Sequence, residues 1–128
     1  MKYSCPLKGR MRSFQYALQG LCILLKSQPN ARIHAFATVI VCAAGFFFGF
    51  TRAEWCWIVL AICAVWAAEA FNTAFEFLAD AASPEYHPMV KNGKDVAAGA
   101  VLVSALGSTV IGLIIILPYM IGILSLTG

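Results

Sequence analysis

The stretch 69-EAFNTAFEFLAD-80 combines the composition of a membrane helix with three carboxylates and an amide. It follows an apolar segment, residues 55–68, that contains no charged residue. At 100° per residue, its polar residues fall within an arc of about 80° on one side of a helix; they are Glu69, Asn72, Glu76 and Asp80. The stretch therefore predicts a membrane helix that carries a polar column along one face.

The composition of the whole chain is typical of a membrane protein. The 128 residues are 61% hydrophobic and 12% charged, with a mean hydropathy of +0.81. A soluble domain of this size would need more polar surface, so we predict a single membrane-integral domain over residues 1–128. Basic residues lie beside apolar runs, which favours a membrane surface over a nucleic acid as their partner. The five cysteines lack C-x-x-C spacing, and we interpret them as small buried hydrophobic residues.

Three segments are apolar enough to span a bilayer, and a fourth is amphipathic. Because a span needs ~20 mostly apolar residues, we predict spans over about 33–50, 54–80 and 95–122. Residues 12–27 place apolar and polar side chains on opposite sides at helical spacing, which predicts an amphipathic helix on the membrane surface. The third span also carries a small residue at every fourth position, which favours close helix packing: Ala100, Ser104, Ser108 and Gly112.

The distribution of basic residues predicts the orientation of the chain. Most of them precede the first span, and Lys91 and Lys94 lie between the second and third spans. Arg52 is the one basic residue in the turn on the opposite side. Because positive residues accumulate in cytoplasmic loops, we expect the N-terminus and the 83–95 loop to face the cytoplasm.

The depth of the polar column indicates chemistry at the membrane surface. Counting ~20 residues from Trp55 places Glu69 about 7 Å below the cytoplasmic boundary, with Glu76 just above it. A carboxylate inside the apolar layer costs several kcal/mol unless it is paired, solvated or protonated. The carboxylates near the surface, Glu76 and Asp80, suit Mg²⁺, which is commonly bound by carboxylate and phosphate oxygens together. The deeper carboxylate, Glu69, suits a general base. Together they would bring a water-soluble phosphate donor to the hydroxyl of a lipid.

The loop after the second span has residues suited to phosphate, without a known nucleotide motif. Lys94 can neutralise phosphate, and Asp95 suits a helix N-cap or an acid associated with metal. The Gly93-Lys94 pair is not a Walker A loop, because Asp95 stands where Ser or Thr is required. The Gly-rich and H-R-D motifs of protein kinases are also absent from the sequence.

At these residues the sequence resembles the prokaryotic diacylglycerol kinase family, which includes the undecaprenol kinases. The similarity rests on 69-EAFNTAFEFLAD-80, 83-SPEYH-87 and 94-KDVAAGAV-101, with a weaker match in 30-NARIH-34. The resemblance implies an all-α integral membrane fold, a homotrimer of three-span subunits with an amphipathic surface helix, and a place in the bacterial inner membrane. It also implies cytoplasmic active sites, shared between neighbouring subunits, that use ATP and Mg²⁺ to phosphorylate diacylglycerol or undecaprenol.

The resemblance further implies a role for each matching residue. Glu69 matches the catalytic base of the family, and Asn72 matches the amide beside it. Glu76 matches a metal-binding glutamate that also lies at the nucleotide. The remaining matches are to positions around the nucleotide: Tyr16, Glu85, Tyr86, His87, Lys94 and Asp95. The chain departs from the family at Gln28, where a second metal-binding glutamate is usual; the amide oxygen can ligate Mg²⁺ but brings no negative charge.

A function of another class fits the same column of acids. A small non-catalytic membrane protein, either a degenerate family member or a subunit of an ion pathway, would also place carboxylates in a membrane helix. A pathway needs polar groups that continue across the membrane, whereas residues 55–68 are purely apolar. This favours an interfacial enzyme, and ATP consumption in the presence of each lipid distinguishes the two classes.

Overall fold

The regular secondary structure of the described residues consists of α-helices alone. The computed structural model describes residues 6–127 and contains four helices in that range: α1 Pro6–Ser27, α2 Pro29–Phe48, α3 Arg52–Ala82 and α4 Pro88–Thr127. By length and composition, α2, α3 and α4 are each able to cross a membrane. The predicted all-helical architecture with three candidate spans is confirmed.

The helices extend beyond the apolar runs from which they were predicted. α1 begins at Pro6 and α4 at Pro88, because proline is favoured in the first turn of a helix and charged side chains are tolerated there. Asp95 therefore lies inside α4, where it forms an ion pair with Lys91 one turn earlier. Of the two roles predicted for Asp95, the helix N-cap is wrong, and the acid associated with metal stays a prediction. α2 follows α1 after a single residue, Gln28, which occupies the N-cap position.

The turn between α2 and α3 has a well-defined local structure. Gly49 ends α2 in the left-handed conformation, with a φ of 70°, which glycine adopts without steric cost. The Thr51 hydroxyl accepts a hydrogen bond from the Glu54 backbone N–H, and the Glu54 carboxylate accepts one from the Thr51 backbone N–H. Tyr119 of α4 donates its hydroxyl to the same carboxylate at 2.8 Å. This network ties the turn to α4.

α3 is the helix around which the others pack. It contacts α4 most extensively and also contacts α1 and α2. Near the α2–α3 turn, Phe50, Ile58 and Ile115 form a buried cluster. Within the small-residue stripe of α4, the Ser108 hydroxyl donates to the backbone carbonyl of Ala61 at 3.0 Å. At this position the stripe therefore packs within the chain, as close helix approach requires.

Large apolar side chains are exposed on all four helices, as Phe36 and Leu78 illustrate. In a bilayer such faces meet lipid or another subunit, so apolar composition does not imply burial within one chain. The interpretation of the cysteines as buried is wrong for this reason. Cys5 lies outside the described residues; the four described cysteines are free, and three of them are exposed: Cys22, Cys56 and Cys63.

Candidate functional site

The polar column of α3 is met by residues from the other helices. Its side chains lie on the continuation of the buried face that contains Val65, because residues three and four apart share one side of a helix. In the part of the chain that the structure describes, side chains of other elements approach the column in the pairs His34–Glu69, Gln28–Glu76 and Lys94–Asp80. The candidate site is therefore assembled from α2, the α1–α2 junction and α4 around the end of α3.

Glu69 is the most deeply buried acid of the column. It is 1% exposed, and neither carboxylate oxygen has a hydrogen-bond partner in the part of the chain that the structure describes. The Nε2 atom of His34 lies 3.9 Å from its Oε2 atom, which is beyond hydrogen-bond distance. The Oδ1 atom of Asn72 is likewise buried and unpartnered among these residues. Buried polar groups are normally paired, so these atoms mark the surroundings of Glu69 and Asn72 as a candidate binding site.

Glu69 and Asn72 line a cavity of about 240 Å³. Asn30 and His34 of α2 supply the rest of its polar lining, and α4 contributes only apolar side chains. A second cavity of about 470 Å³, with a mainly apolar lining, lies between α2, α3 and α4. Both cavities are lined by Ile33, His34 and Ala105, so the apolar space adjoins the space around the buried carboxylate.

Glu76 accepts hydrogen bonds from two side-chain amides. Gln28 donates its Nε2 to Oε2 at 3.1 Å, and Asn72 donates its Nδ2 to Oε1 at 3.3 Å. Within the described residues, no group of three or more His, Cys, Asp or Glu side chains is arranged to hold a metal ion. Mg²⁺ is commonly bound by one or two carboxylates together with substrate phosphates, so one carboxylate flanked by amides fits an ion that arrives with ATP.

The loop between α3 and α4 lies beside the solvent-exposed end of the column. The Nζ atom of Lys94 is 2.7 Å from Oδ1 of Asp80, which ties the start of α4 to the end of α3. The Nδ1 atom of His87 accepts the backbone N–H of Met89 at 3.2 Å, so this side chain stabilises the first turn of α4. Gly93 lies against Phe75: a Cβ atom at position 93 would be 2.9 Å from the ring.

The structure brings together part of the predicted site. Gln28 and Asn72 each donate a hydrogen bond to Glu76, whereas Tyr16, Glu85 and Tyr86 are exposed. No side-chain hydrogen bond or ion pair connects these three exposed residues to the column in the described part of the chain. His34 was not predicted as a site residue, although a histidine at the start of an apolar segment was a visible signal.

Several known proteins are similar to this chain. Residues 15–116 match the family described as prokaryotic diacylglycerol kinase. The undecaprenol kinase of Bacillus subtilis is 38% identical over 107 residues, which cover 84% of this chain and 87% of that protein. The diacylglycerol kinase of Synechocystis sp. is 34% identical over 113 residues, covering 88% of this chain and 65% of that protein. The diacylglycerol kinase of Haemophilus influenzae is 29% identical over 94 residues, covering 73% and 80% respectively.

Proposed function

The chain belongs to the prokaryotic diacylglycerol kinase family, and we propose that it is a lipid kinase that transfers the γ-phosphate of ATP to a lipid hydroxyl. The observation that carries this proposal is the buried, unpartnered carboxylate of Glu69 beside an apolar cavity. This carboxylate lies in a helix that is long and apolar enough to cross a membrane. It is suited to meet the hydroxyl of a lipid, which a soluble enzyme would have to extract from the bilayer.

Glu69 acts as the general base of the reaction. It takes the proton of the lipid hydroxyl as the lipid oxygen bonds to the γ-phosphorus and the bond from that phosphorus to the ADP oxygen breaks. Because phosphoryl transfer depends mainly on positioning and charge stabilisation, the protein must hold the base and the phosphate close together. Asn72, one turn from Glu69 and hydrogen-bonded to Glu76, connects the base with the phosphate-binding end of the column.

Glu76 and Gln28 would hold Mg²⁺ together with the ATP phosphates. When bound, the ion neutralises the negative charge of the transferring phosphate. Glu76 offers a carboxylate that already faces the Gln28 side chain. Gln28 presents its amide nitrogen to Glu76 in the structure, so ligation through its oxygen requires the amide group to turn over.

The ATP-binding residues are Lys94 and Asp95 on α4, the 85–87 loop, and Tyr16 on α1. Lys94 is paired with Asp80, and the phosphates would compete for this cation. Tyr16 has no hydrogen bond to the column of its own chain among the described residues. We therefore assign Tyr16 to the site of a neighbouring subunit, as expected for a homotrimer with shared active sites. The exposed apolar faces are available for contacts between subunits as well as for lipid.

The apolar cavity next to Glu69 would accept the hydrocarbon part of the lipid. The relatives are named for two acceptors, undecaprenol and diacylglycerol. The undecaprenol kinase matches at higher identity and over most of both chains, which supports undecaprenol as the first acceptor to test. The chain would lie in the bacterial inner membrane with its N-terminus and the ATP site on the cytoplasmic side, as its basic residues favour.

The proposal is tested with purified protein reconstituted into lipid bilayers with ATP and Mg²⁺. Undecaprenol and diacylglycerol are offered separately, and phosphorylated lipid is quantified. Matched controls are the acetate esters of the two lipids, which have the same hydrocarbon chains but no free hydroxyl. We expect phosphorylated product from at least one free lipid and none from either ester. Absence of product from both free lipids would contradict the proposed function.

A further inference from the structure

His34 is a histidine beside the proposed base to which the proposed mechanism assigns no role. It lies near the start of α2, and its Nε2 atom is 3.9 Å from Oε2 of Glu69. The His34 side chain is 18% exposed, compared with 1% for Glu69. Both residues line the same 240 Å³ cavity. His34 is thus a more exposed neighbour of the most buried acid among the described residues.

The other groups that face Glu69 do not supply a positive charge. On α3 these are the neutral Asn72 and the acidic Glu76, which repels a second negative charge. α2 contributes Asn30 beside His34, and the lining from α4 is apolar: Ala98, Val101, Leu102 and Ala105. Within the described lining of this cavity, His34 is therefore the residue able to offset the charge of the Glu69 carboxylate.

Contacts between α2 and α3 fix the position of His34. The Thr38 hydroxyl donates to the His34 backbone carbonyl at 2.7 Å, and Trp66 donates its Nε1–H to the Thr38 hydroxyl at 3.1 Å. Trp66 lies one turn before Glu69 on α3. The hydrogen bonds therefore connect the backbone of His34 to the same helix segment that carries the base, which limits how far the two side chains can separate.

We propose that His34 is a positioning residue for Glu69: its imidazole orients the carboxylate and favours its ionised form. This rests on the proposed function of Glu69 as the base. The separation of 3.9 Å closes to hydrogen-bond distance by a small side-chain movement, or one water molecule bridges it. His34 keeps its own proton throughout; Glu69 takes the lipid proton and returns it to water after the phosphorylated lipid leaves.

The test compares His34→Leu and His34→Gln with the wild type and with Phe36→Leu. Leucine removes both the N–H donor and the charge, whereas glutamine keeps an N–H donor. Phe36 is on the same helix, is 68% exposed and lines neither cavity, so it controls for changes in α2. For each protein, kcat, the KM for ATP and the pH dependence of kcat are measured with the lipid acceptor that the wild type phosphorylates.

We expect His34→Leu to lower the plateau kcat by ~10- to 100-fold, the usual effect of a lost hydrogen bond to a charged group. His34→Gln should recover much of this loss, with the KM for ATP unchanged in both. The acid limb of the pH profile should move to higher pH in both variants, because neither leucine nor glutamine can carry a positive charge beside the carboxylate. Phe36→Leu should not move it.

A plateau kcat within twofold of wild type in His34→Leu, with an unmoved acid limb, would overturn the inference. If His34→Leu does not fold, an unmoved acid limb in His34→Gln would overturn it equally. These results require an active wild type, so they differ from failure of the proposed function, in which the wild type itself forms no phosphorylated lipid.

Discussion

Gln28 donates its side-chain amide to the Glu76 carboxylate at 3.1 Å, and this contact joins the α1–α2 junction to α3 across 48 positions of sequence. Two glutamates in this arrangement would repel each other unless a cation lay between them. A neutral amide removes that repulsion and adds a hydrogen bond. The chain can therefore hold the two helices in this geometry before any metal ion binds.

Changing Gln28 to Glu should make the site more dependent on metal. The added carboxylate should lower the half-saturating Mg²⁺ concentration at fixed ATP, because Mg²⁺ favours charged oxygen ligands. Without Mg²⁺ the variant should unfold at a lower temperature than the wild type, because the hydrogen bond becomes a repulsion. Added Mg²⁺ should raise the unfolding temperature of the variant back towards that of the wild type.

The same charge change elsewhere on α1 provides the control. Gln19 is exposed on α1 and is not part of the Gln28–Glu76 pair, so Gln19→Glu adds the same charge away from the proposed metal ligands. It should change neither the half-saturating Mg²⁺ concentration nor the unfolding temperature without Mg²⁺. Equal half-saturating Mg²⁺ concentrations in Gln28→Glu and wild type would show that position 28 is not in the metal shell. A higher value would show that Glu76 and the ATP phosphates already supply enough negative charge.

Replacing Glu76 should weaken Mg²⁺ binding. Glu76→Ala removes the carboxylate, and Glu76→Gln removes its charge with little change in size. Both variants should raise the half-saturating Mg²⁺ concentration ~10-fold or more, since Gln28 supplies no charge to compensate. The measurement is lipid phosphorylation as a function of Mg²⁺ at fixed ATP. An unchanged Mg²⁺ dependence in both variants would mean that the ion is held elsewhere.

The turn between α2 and α3 gives a prediction about stability alone. Gly49→Ala should destabilise the protein by about 1 kcal/mol, because position 49 has a φ of 70° that alanine adopts only with strain. Gly107→Ala is the matched control: this glycine is inside α4, and a Cβ there meets nothing within 4 Å. In detergent, Gly49→Ala should unfold at a lower temperature than Gly107→Ala. Equal unfolding temperatures for both variants would contradict this account of the turn.

The helix periodicity of α3 is sufficient to predict the part of the site that α3 itself contributes. Residues three and four apart lie on one face of a helix, so the contact between Asn72 and Glu76 follows from local geometry. The spacing of residues along one helix does not predict which residues of other helices they contact. The approach of Gln28 to Glu76 was expected only from the family resemblance, and the approach of His34 to Glu69 was not predicted, because periodicity does not say which helices are neighbours.

Helix ends are harder to predict from sequence than helix faces, because a charged residue next to an apolar run does not mark the end of a helix. Asp95 was expected at the start of a helix, yet α4 already begins at Pro88. The first turns of a long helix accept charged side chains, and Lys91 and Asp95 form an ion pair across one turn of α4. Burial was also misjudged: the exposed cysteines show that apolar faces of a membrane chain can point outward.

The role of Glu69 as the base that takes the proton of the lipid hydroxyl is tested by measuring transfer of the ATP γ-phosphate to lipid by Glu69→Gln. The amide has nearly the same shape but cannot act as a base, so kcat should fall by ~10²- to 10⁴-fold with ATP binding retained. Glu54→Gln makes the same change on α3 about 22 Å away and should stay within a few-fold of wild type. A Glu69→Gln protein with near wild-type phosphate transfer would contradict the account.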